Sequence, residues 1–159
     1  MLTFPLGEAR SEPFAYVSRR ARIEEMPSVM AESFGVLGQA FAKAGAELGG
    51  PALAHYVAFD AQGVTFDVGF PARRDQVHAL RDVGLSVGET AGGTIMAARH
   101  VGPYETMGKT YEAMRAQMHA QGFRPAADVW EIYMSSPETP PDRIMIYVIW
   151  PVRPLSGPA

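Results

Sequence analysis

The sequence predicts an α+β fold: two tandem, duplicated strand–helix–strand–strand units related by pseudo-twofold symmetry. Three observations carry this expectation. Apolar residues recur at helical spacing in two separate stretches, a pair of β-rich runs follows each stretch, and the matched segments keep the same order in both halves. At 159 residues, 47% apolar and 19% charged, the chain has the length and composition of one folded domain, with enough residues to bury a sizeable core.

Residues 1–13 read as a loose N-terminal extension and 155–159 as a tail. Between them 14–154 form a single domain, with halves at about 14–74 and 85–154. The first half opens with a strand around 16–24 and an extended stretch at 28–33. Leu37, Phe41, Ala44 and Leu48 then follow the i, i+4, i+7, i+11 spacing of an amphipathic helix. A hairpin follows from Pro51, turning near Asp60, Ala61, Gln62 and Gly63. Residues 73–85 connect the halves and are partly helical. The second half repeats the order: a strand at 93–100, then Met107, Tyr111, Met114 and Met118 at the same helical spacing. Its hairpin starts at Pro125, has a longer turn containing Ser135, Ser136, Pro137, Pro140 and Pro141, and closes with a strand at 144–150. The matched pairs are Leu37 with Met107, Pro51 with Pro125 and Pro71 with Pro151. Their offsets of 70, 74 and 80 grow as turns lengthen.

Several chemistries are excluded or unsupported. The net charge of −3 does not suit a phosphate-neutralising nucleic-acid binder. The absence of cysteine removes disulfides, thiolate metal sites and a cysteine nucleophile, and fits a reducing cytoplasm. No uncharged apolar run reaches the ~18 residues of a membrane-spanning helix, and the N-terminus lacks the pattern of a signal peptide. His55, His78, His100 and His119 show no zinc-type spacing, so no metal is expected; no phosphate-cradling glycine loop is present, so no cofactor is expected either. Gly84-Leu85-Ser86-Val87-Gly88 fits the G-x-S-x-G pattern, but without the preceding strand and following helix that a nucleophile elbow requires.

Paired strand–helix–strand–strand units leave a central cleft between the halves, a common ligand site. Side chains alternate along a strand, so Glu131 and Tyr133 share one face, and by the 74-residue offset Val57 and Phe59 are their counterparts. A carboxylate between Trp130 and Ile132 has to be paired or neutralised if it leaves water; on an exposed edge strand it would need neither. In the cleft, an ionised Glu131 would attract a lipophilic cation among aromatic rings, and a protonated one could act as a general acid. Gly102 and Pro103 form a strand-to-helix corner that brings Tyr104 toward the cleft. Tyr147 and Trp150 have opposite parity, so at most one of them lines it. The candidate binding residues are therefore Glu131, Tyr133, Tyr104, Phe59, Val57 and one of Tyr147 and Trp150.

Three motifs in order, His100-Val101-Gly102-Pro103-Tyr104-Glu105, Trp130-Glu131-Ile132-Tyr133 and Val148-Ile149-Trp150-Pro151-Val152, resemble the GyrI-like small-molecule-binding domain. That module also forms the effector-binding part of MerR-type multidrug-responsive and some AraC-type activators. The resemblance covers about 14–154. It implies binding of hydrophobic, often cationic small molecules, with Glu131 as the acidic contact. Some stand-alone members resemble hydrolases that open cyclopropane rings of DNA-alkylating natural products, which would make Glu131 catalytic; others inhibit gyrase by protein contact. Only about 13 residues precede the domain and no helix-turn-helix is among them, so direct DNA binding is not expected. The first half has Ala31-Glu32-Ser33-Phe34-Gly35 in place of the His-x-Gly-Pro-Tyr motif, and so is expected to supply scaffold and walls.

Overall fold

A computed structural model describes residues 4–136 and 138–156. Residues 1–3, Pro137 of the second hairpin turn and 157–159 of the tail lie outside them. The elements in chain order are β1 (Leu6–Ala9), β2 (Pro13–Ala21), α1 (Met26–Ala44), β3 (Leu53–Asp60), β4 (Gly63–Pro71), α2 (Val77–Asp82), β5 (Ser86–Glu89), β6 (Gly93–Val101), α3 (Met107–Ala120), β7 (Phe123–Pro125), β8 (Trp130–Tyr133) and β9 (Met145–Pro154). Short 3-10 turns at Ile23–Glu25 and Tyr104–Thr106 lead into α1 and α3. The class is α+β, with antiparallel strands throughout. No helix among the described residues is long and apolar enough to cross a membrane.

The chain divides into two compact units, Ser11–Thr90 and Met1–Arg10 with Ala91–Ala159. In the first, the strand order is β3-β4-β2-β5. In the second it is β8-β9-β6-β1, with β7 on the far end of β9. The two orders correspond strand for strand. Each short arm pairs away from its chain neighbour: β1 precedes β2 but joins β6, and β5 precedes β6 but joins β2. Leu6–Ala9 therefore form an edge strand within a stretch that the sequence suggests is a loose end.

In the Ser11–Thr90 unit, α1 buries Ser33, Leu37, Ala40 and Phe41. Leu37, Ala40 and Phe41 pack with Ala15, Ala72, Leu80 and Leu85. In the other unit, α3 buries Met107, Thr110, Met114 and Met118. Its methionines pack on Met96, Ala98, Ile146, Val148, Trp150 and Val152. Each large side chain so buried contributes about 1.5–3 kcal/mol of transfer free energy. Gly45 (φ 65°) directly follows α1, and Gly122 (φ 83°) follows α3 after Gln121, both in the left-handed conformation that glycine adopts without a steric cost.

Four expectations are corrected. Residues 28–33 are helical, not extended: Pro27 pre-sets the first turn of α1, and the Glu25 carboxylate accepts the Arg22 backbone N–H at 3.0 Å. Leu48 lies beyond the helix and is exposed. The repeat within the helices runs at an offset of 77, pairing Ser33, Leu37 and Phe41 with Thr110, Met114 and Met118. The 70-residue offset slips by seven residues, nearly two helical turns, so it preserves the buried face while mispairing its residues. The strand-to-helix corner of the first unit is correspondingly Ala21-Arg22-Ile23, and Ala31 to Gly35 lie inside α1. The tight first hairpin is as expected, its turn held by Gln62 N–H donating to Asp60 Oδ1 at 2.8 Å. The connector is partly helical as expected, through α2.

Two glycines predict opposite stability effects. A Cβ at Gly69 would stand 1.9 Å from the Ala15 carbonyl oxygen, a backbone atom with nowhere to go. Gly69→Ala should destabilise by about 1–3 kcal/mol or more. Gly38, exposed in the middle of α1, has nothing within 4 Å, and Gly38→Ala should stabilise by about 0.5–1 kcal/mol. Chemical denaturation of the two variants checks both signs.

Candidate functional site

Glu131 is the second residue of the four-residue strand β8 and is 7% exposed. It lies directly across from Val148 on β9, on the sheet face that carries Ile146, Val148 and Trp150 beneath α3. Tyr133, two residues further on, shares that face. Tyr111, on the second turn of α3, reaches the same carboxylate from the helix side. Tyr133 Oη donates to Glu131 Oε1 at 2.9 Å, and Tyr111 Oη donates to Oε2. Both carboxylate oxygens thus accept phenol hydrogen bonds, which offsets part of the cost of removing the group from water.

Aromatic contacts extend the cluster. The Tyr111 ring meets Trp150 edge-on, with centroids 5.8 Å apart at 81°. The Arg115 guanidinium, one turn further along α3, lies 5.1 Å from the Trp150 ring centroid. Tyr104 is 57% exposed. Partial burial pushes its phenol above the usual tyrosine range, and the negative charge of Glu131 pushes it in the same direction.

A buried histidine fixes the corner that places Tyr104. His100, 4% exposed at the end of β6, contacts Thr110 Oγ1 of α3 through Nδ1 at 2.8 Å and the Pro103 carbonyl through Nε2 at 3.0 Å. The carbonyl can only accept, so Nε2 carries the proton of that bond. Thr106 Oγ1 donates to the same carbonyl at 2.8 Å. Gly102 adopts φ 132° and donates its N–H to the Ile144 carbonyl at 2.8 Å, a geometry that a side chain would strain. Strand end, turn and helix start are therefore tied together just where Tyr104 and Tyr111 project.

Of the sequence candidates, Glu131, Tyr133 and Trp150 share one sheet face, with Tyr104 close enough to sense the Glu131 charge. Tyr147 stands on the opposite face, across from Ile132 and Arg99, so Trp150 is the member of that pair on the Glu131 side. Val57 and Phe59 belong to the other unit. They sit on an exposed part of β3 at 43% and 66% exposure, at a register irregularity between Tyr56 and Ala58. They are not the counterparts of Glu131 and Tyr133. Val68 pairs with Ala54 as Val148 pairs with Glu131, so the ladder makes Ala54 and Tyr56 the counterparts. The three-residue error is odd-numbered and therefore swaps sheet faces.

Sequence reasoning missed Tyr111 as a site residue, since it read it only as part of an apolar stripe. The available signal was its hydroxyl within an otherwise methionine-rich stripe. The same positions in the first unit are apolar: Ala54 for Glu131, Phe34 for Tyr111 and Phe70 for Trp150, with Phe34 and Phe70 rings 6.1 Å apart. The polar cluster has no copy there.

Other arrangements offer less. Asp67 accepts Ser18 Oγ at 2.6 Å and lies 3.6 Å from His55 Nδ1, so the carboxylate, rather than the histidine, is central, and this is not a hydrolytic triad. Ser86 follows a helix and opens a strand, the reverse of a nucleophile elbow. Among the described residues no group of three or more His, Cys, Asp or Glu side chains could hold a metal ion. A hollow of about 750 Å³ in the Ser11–Thr90 unit is lined by Arg20, Ile23, Asp60 and Gln62, none from the Glu131 cluster. Arg20 there is already satisfied by both oxygens of Asp60 at 2.9 Å, so the hollow lacks the unusual chemistry of the buried glutamate.

Residues 12–153 match the GyrI-like small molecule binding domain, and the chain belongs to that family. No curated protein sequence matches significantly. Solved structures share the fold at low identity. The C-terminal domain of EcmrR matches with a TM-score of 0.77 and 14% identity, over 97% of this chain and 99% of that one. A hydrolase from Listeria innocua matches at 0.70 and 14%, over 94% and 91%. SAV2435, with tetraphenylphosphonium bound, matches at 0.64 and 12%, over 95% and 94%.

The two causes of the Tyr104 shift are separable. In Glu131→Gln its phenol should titrate lower than in the wild type yet stay above the ordinary value, because burial is the larger cause. Phenolate absorbance titrations, each referenced to the same protein carrying Tyr104→Phe, would show this. An unchanged titration would contradict the electrostatic link to Glu131.

Proposed function

We propose that this chain binds hydrophobic, cationic small molecules, with Glu131 as the charge partner and Tyr104, Tyr111, Tyr133 and Trp150 as the aromatic surround. One observation carries the reading: a nearly buried carboxylate set between two phenols on the inner face of a sheet. A buried carboxylate is costly to fold around, and its negative charge would attract a ligand cation. The bound tetraphenylphosphonium of SAV2435, a protein of the same fold, supports the ligand class.

Magnitudes rank the contributors. At an effective dielectric of about 20, a cation about 5 Å from a carboxylate gains about 3 kcal/mol. One cation–π contact gives about 0.5–2 kcal/mol. The carboxylate therefore outweighs any single ring. Glu131→Gln should weaken binding of tetraphenylphosphonium about 30- to 150-fold, and Tyr104→Leu about 2- to 20-fold. Calorimetric titration of the three proteins measures this. Equal affinity of Glu131→Gln and wild type would remove Glu131 from the site.

A hydrolytic reading has support of its own in the fold shared with the Listeria innocua hydrolase. There Glu131 would protonate a leaving group or activate water on an electrophilic, cyclopropane-type substrate, with a tyrosine orienting it. Mass analysis of recovered ligand separates the readings: an unchanged mass supports binding alone, and the gain of one water supports hydrolysis.

A further inference from the structure

The Ser11–Thr90 unit holds a further cavity, of about 280 Å³, that shares no residue with the Glu131 cluster. One wall is α2 with the turn before it. Arg74, Val77 and Arg81 recur there at i, i+3 and i+7, so they share one face of the helical stretch. The other wall is the end of the sheet. Pro13 of β2 pairs there with Glu89 of β5, and Val87, two residues before Glu89, stands on the same side. Pro13 is buried and Val77 and Val87 are half-buried, which makes the floor apolar. Among the described residues the other unit has no counterpart of α2. The cavity is therefore an addition to the repeated strand–helix–strand–strand plan.

Charge at its rim is unbalanced. Arg74 Nη1 donates to Oε1 of Glu89, the one carboxylate lining the cavity, at 3.2 Å. Neighbouring acids face other cations: Asp75 pairs with Arg73 at 2.8 Å, and Asp82 lies 3.4 Å from His78. The Arg81 guanidinium makes no hydrogen bond or ion pair among the described residues. The rim thus carries two positive charges against one negative, on a chain whose net charge is −3. The Glu89 contact shows that a carboxylate oxygen already fits one of the two guanidinia.

We propose that this cavity is a second ligand site, for a small oxyanion that carries a compact apolar group. Its head, a carboxylate or a phosphate-type group, is held by Arg74 and Arg81, whose planar forks can each take two oxygens at once. Its apolar part lies against Pro13, Val77 and Val87. The volume admits about nine non-hydrogen atoms at the ~30 Å³ that a molecule of liquid water occupies, the size of benzoate. Glu89 is a resident competitor for Arg74 and sets a ceiling on affinity. The site is independent of the function proposed for Glu131.

The test titrates benzoate and phenylphosphonate into the full chain, with benzamide as the neutral analogue of benzoate, while backbone amide resonances are followed by NMR. Wild type, Arg81→Gln, Glu89→Gln and Glu131→Gln are compared, with thermal midpoints confirming that each variant is folded. At least one oxyanion should give saturable shifts at the amides of 74–81 and 87–89, and the head group of the tighter binder identifies the ligand as carboxylate or phosphate-type. Arg81→Gln should weaken that binding about fivefold, the scale of one partly exposed charge pair. Glu89→Gln should tighten it about two- to fivefold, because it frees Arg74 and removes a like charge. Glu131→Gln should leave it unchanged. Opposite signs for the two rim substitutions are expected of a charge site and not of a change in packing. Benzamide bound as tightly as benzoate would overturn the role of the arginines. Inorganic phosphate bound as tightly as phenylphosphonate would overturn the role of the apolar floor. The absence of saturable shifts at these amides with either oxyanion would overturn the site.

Discussion

A carboxylate with little access to water, held at both oxygens by tyrosines from two different elements, is the constraint on which the second unit depends. Tyr133 comes from the strand that carries Glu131, and Tyr111 comes from the helix above it. That pairing only works if α3 sits at one height over the sheet. The fold fixes this height from the helix start, where His100 joins the end of β6 to Thr110 and to the Pro103 carbonyl, and from below, where Met107, Met114 and Met118 fill the space above Ile146 and Val148. Methionine suits this role because an unbranched, polarisable side chain fills irregular gaps. The polar pair and the apolar packing are thus two halves of one positioning problem.

The two units solve the same packing problem with different chemistry. Where one has Glu131, Tyr111 and Trp150, the other has Ala54, Phe34 and Phe70, and the helix rests on rings without hydroxyls. Apolar filling is the cheaper arrangement, because no charge has to leave water. The retention of a charged cluster in one unit, at a cost in stability that its counterpart avoids, is the physical reason to read that cluster as functional.

Much of this was legible in the sequence, and the limits are instructive. The class and the order strand–helix–strand–strand follow from apolar periodicity, which reports faces. Pairings do not follow from periodicity. Leu37 aligned with Met107 keeps the correct helix face although Met114 is its partner, because seven residues return to nearly the same direction. Val57 aligned with Glu131 fails, because a three-residue shift along a strand reverses the face. Glu131 stood out because a carboxylate between Trp130 and Ile132 conflicts with its surroundings. Tyr111 did not, because its ring satisfies the helical stripe and its hydroxyl matters only once β8 is placed beneath it. The edge pairing of Leu6–Ala9 had no local signal, since its partner lies at Gly93 to Met96.

That distant pairing bears on how the chain is made. Leu6 pairs with Met96, ninety residues later. At about 5–20 residues per second, β1 waits about 5–18 seconds for its partner to be made. The other arm waits for nothing, because β5 pairs with Pro13–Tyr16, which have already been made. The Ser11–Thr90 unit can therefore close during synthesis while the N-terminal strand stays unpaired beside it. Gly7 and Glu8 at its centre are poor strand formers, one flexible and one charged, and such residues discourage an idle edge from pairing with the wrong neighbour. The weak sequence signal of this arm is the same property that keeps it harmless on a nascent chain until β6 appears.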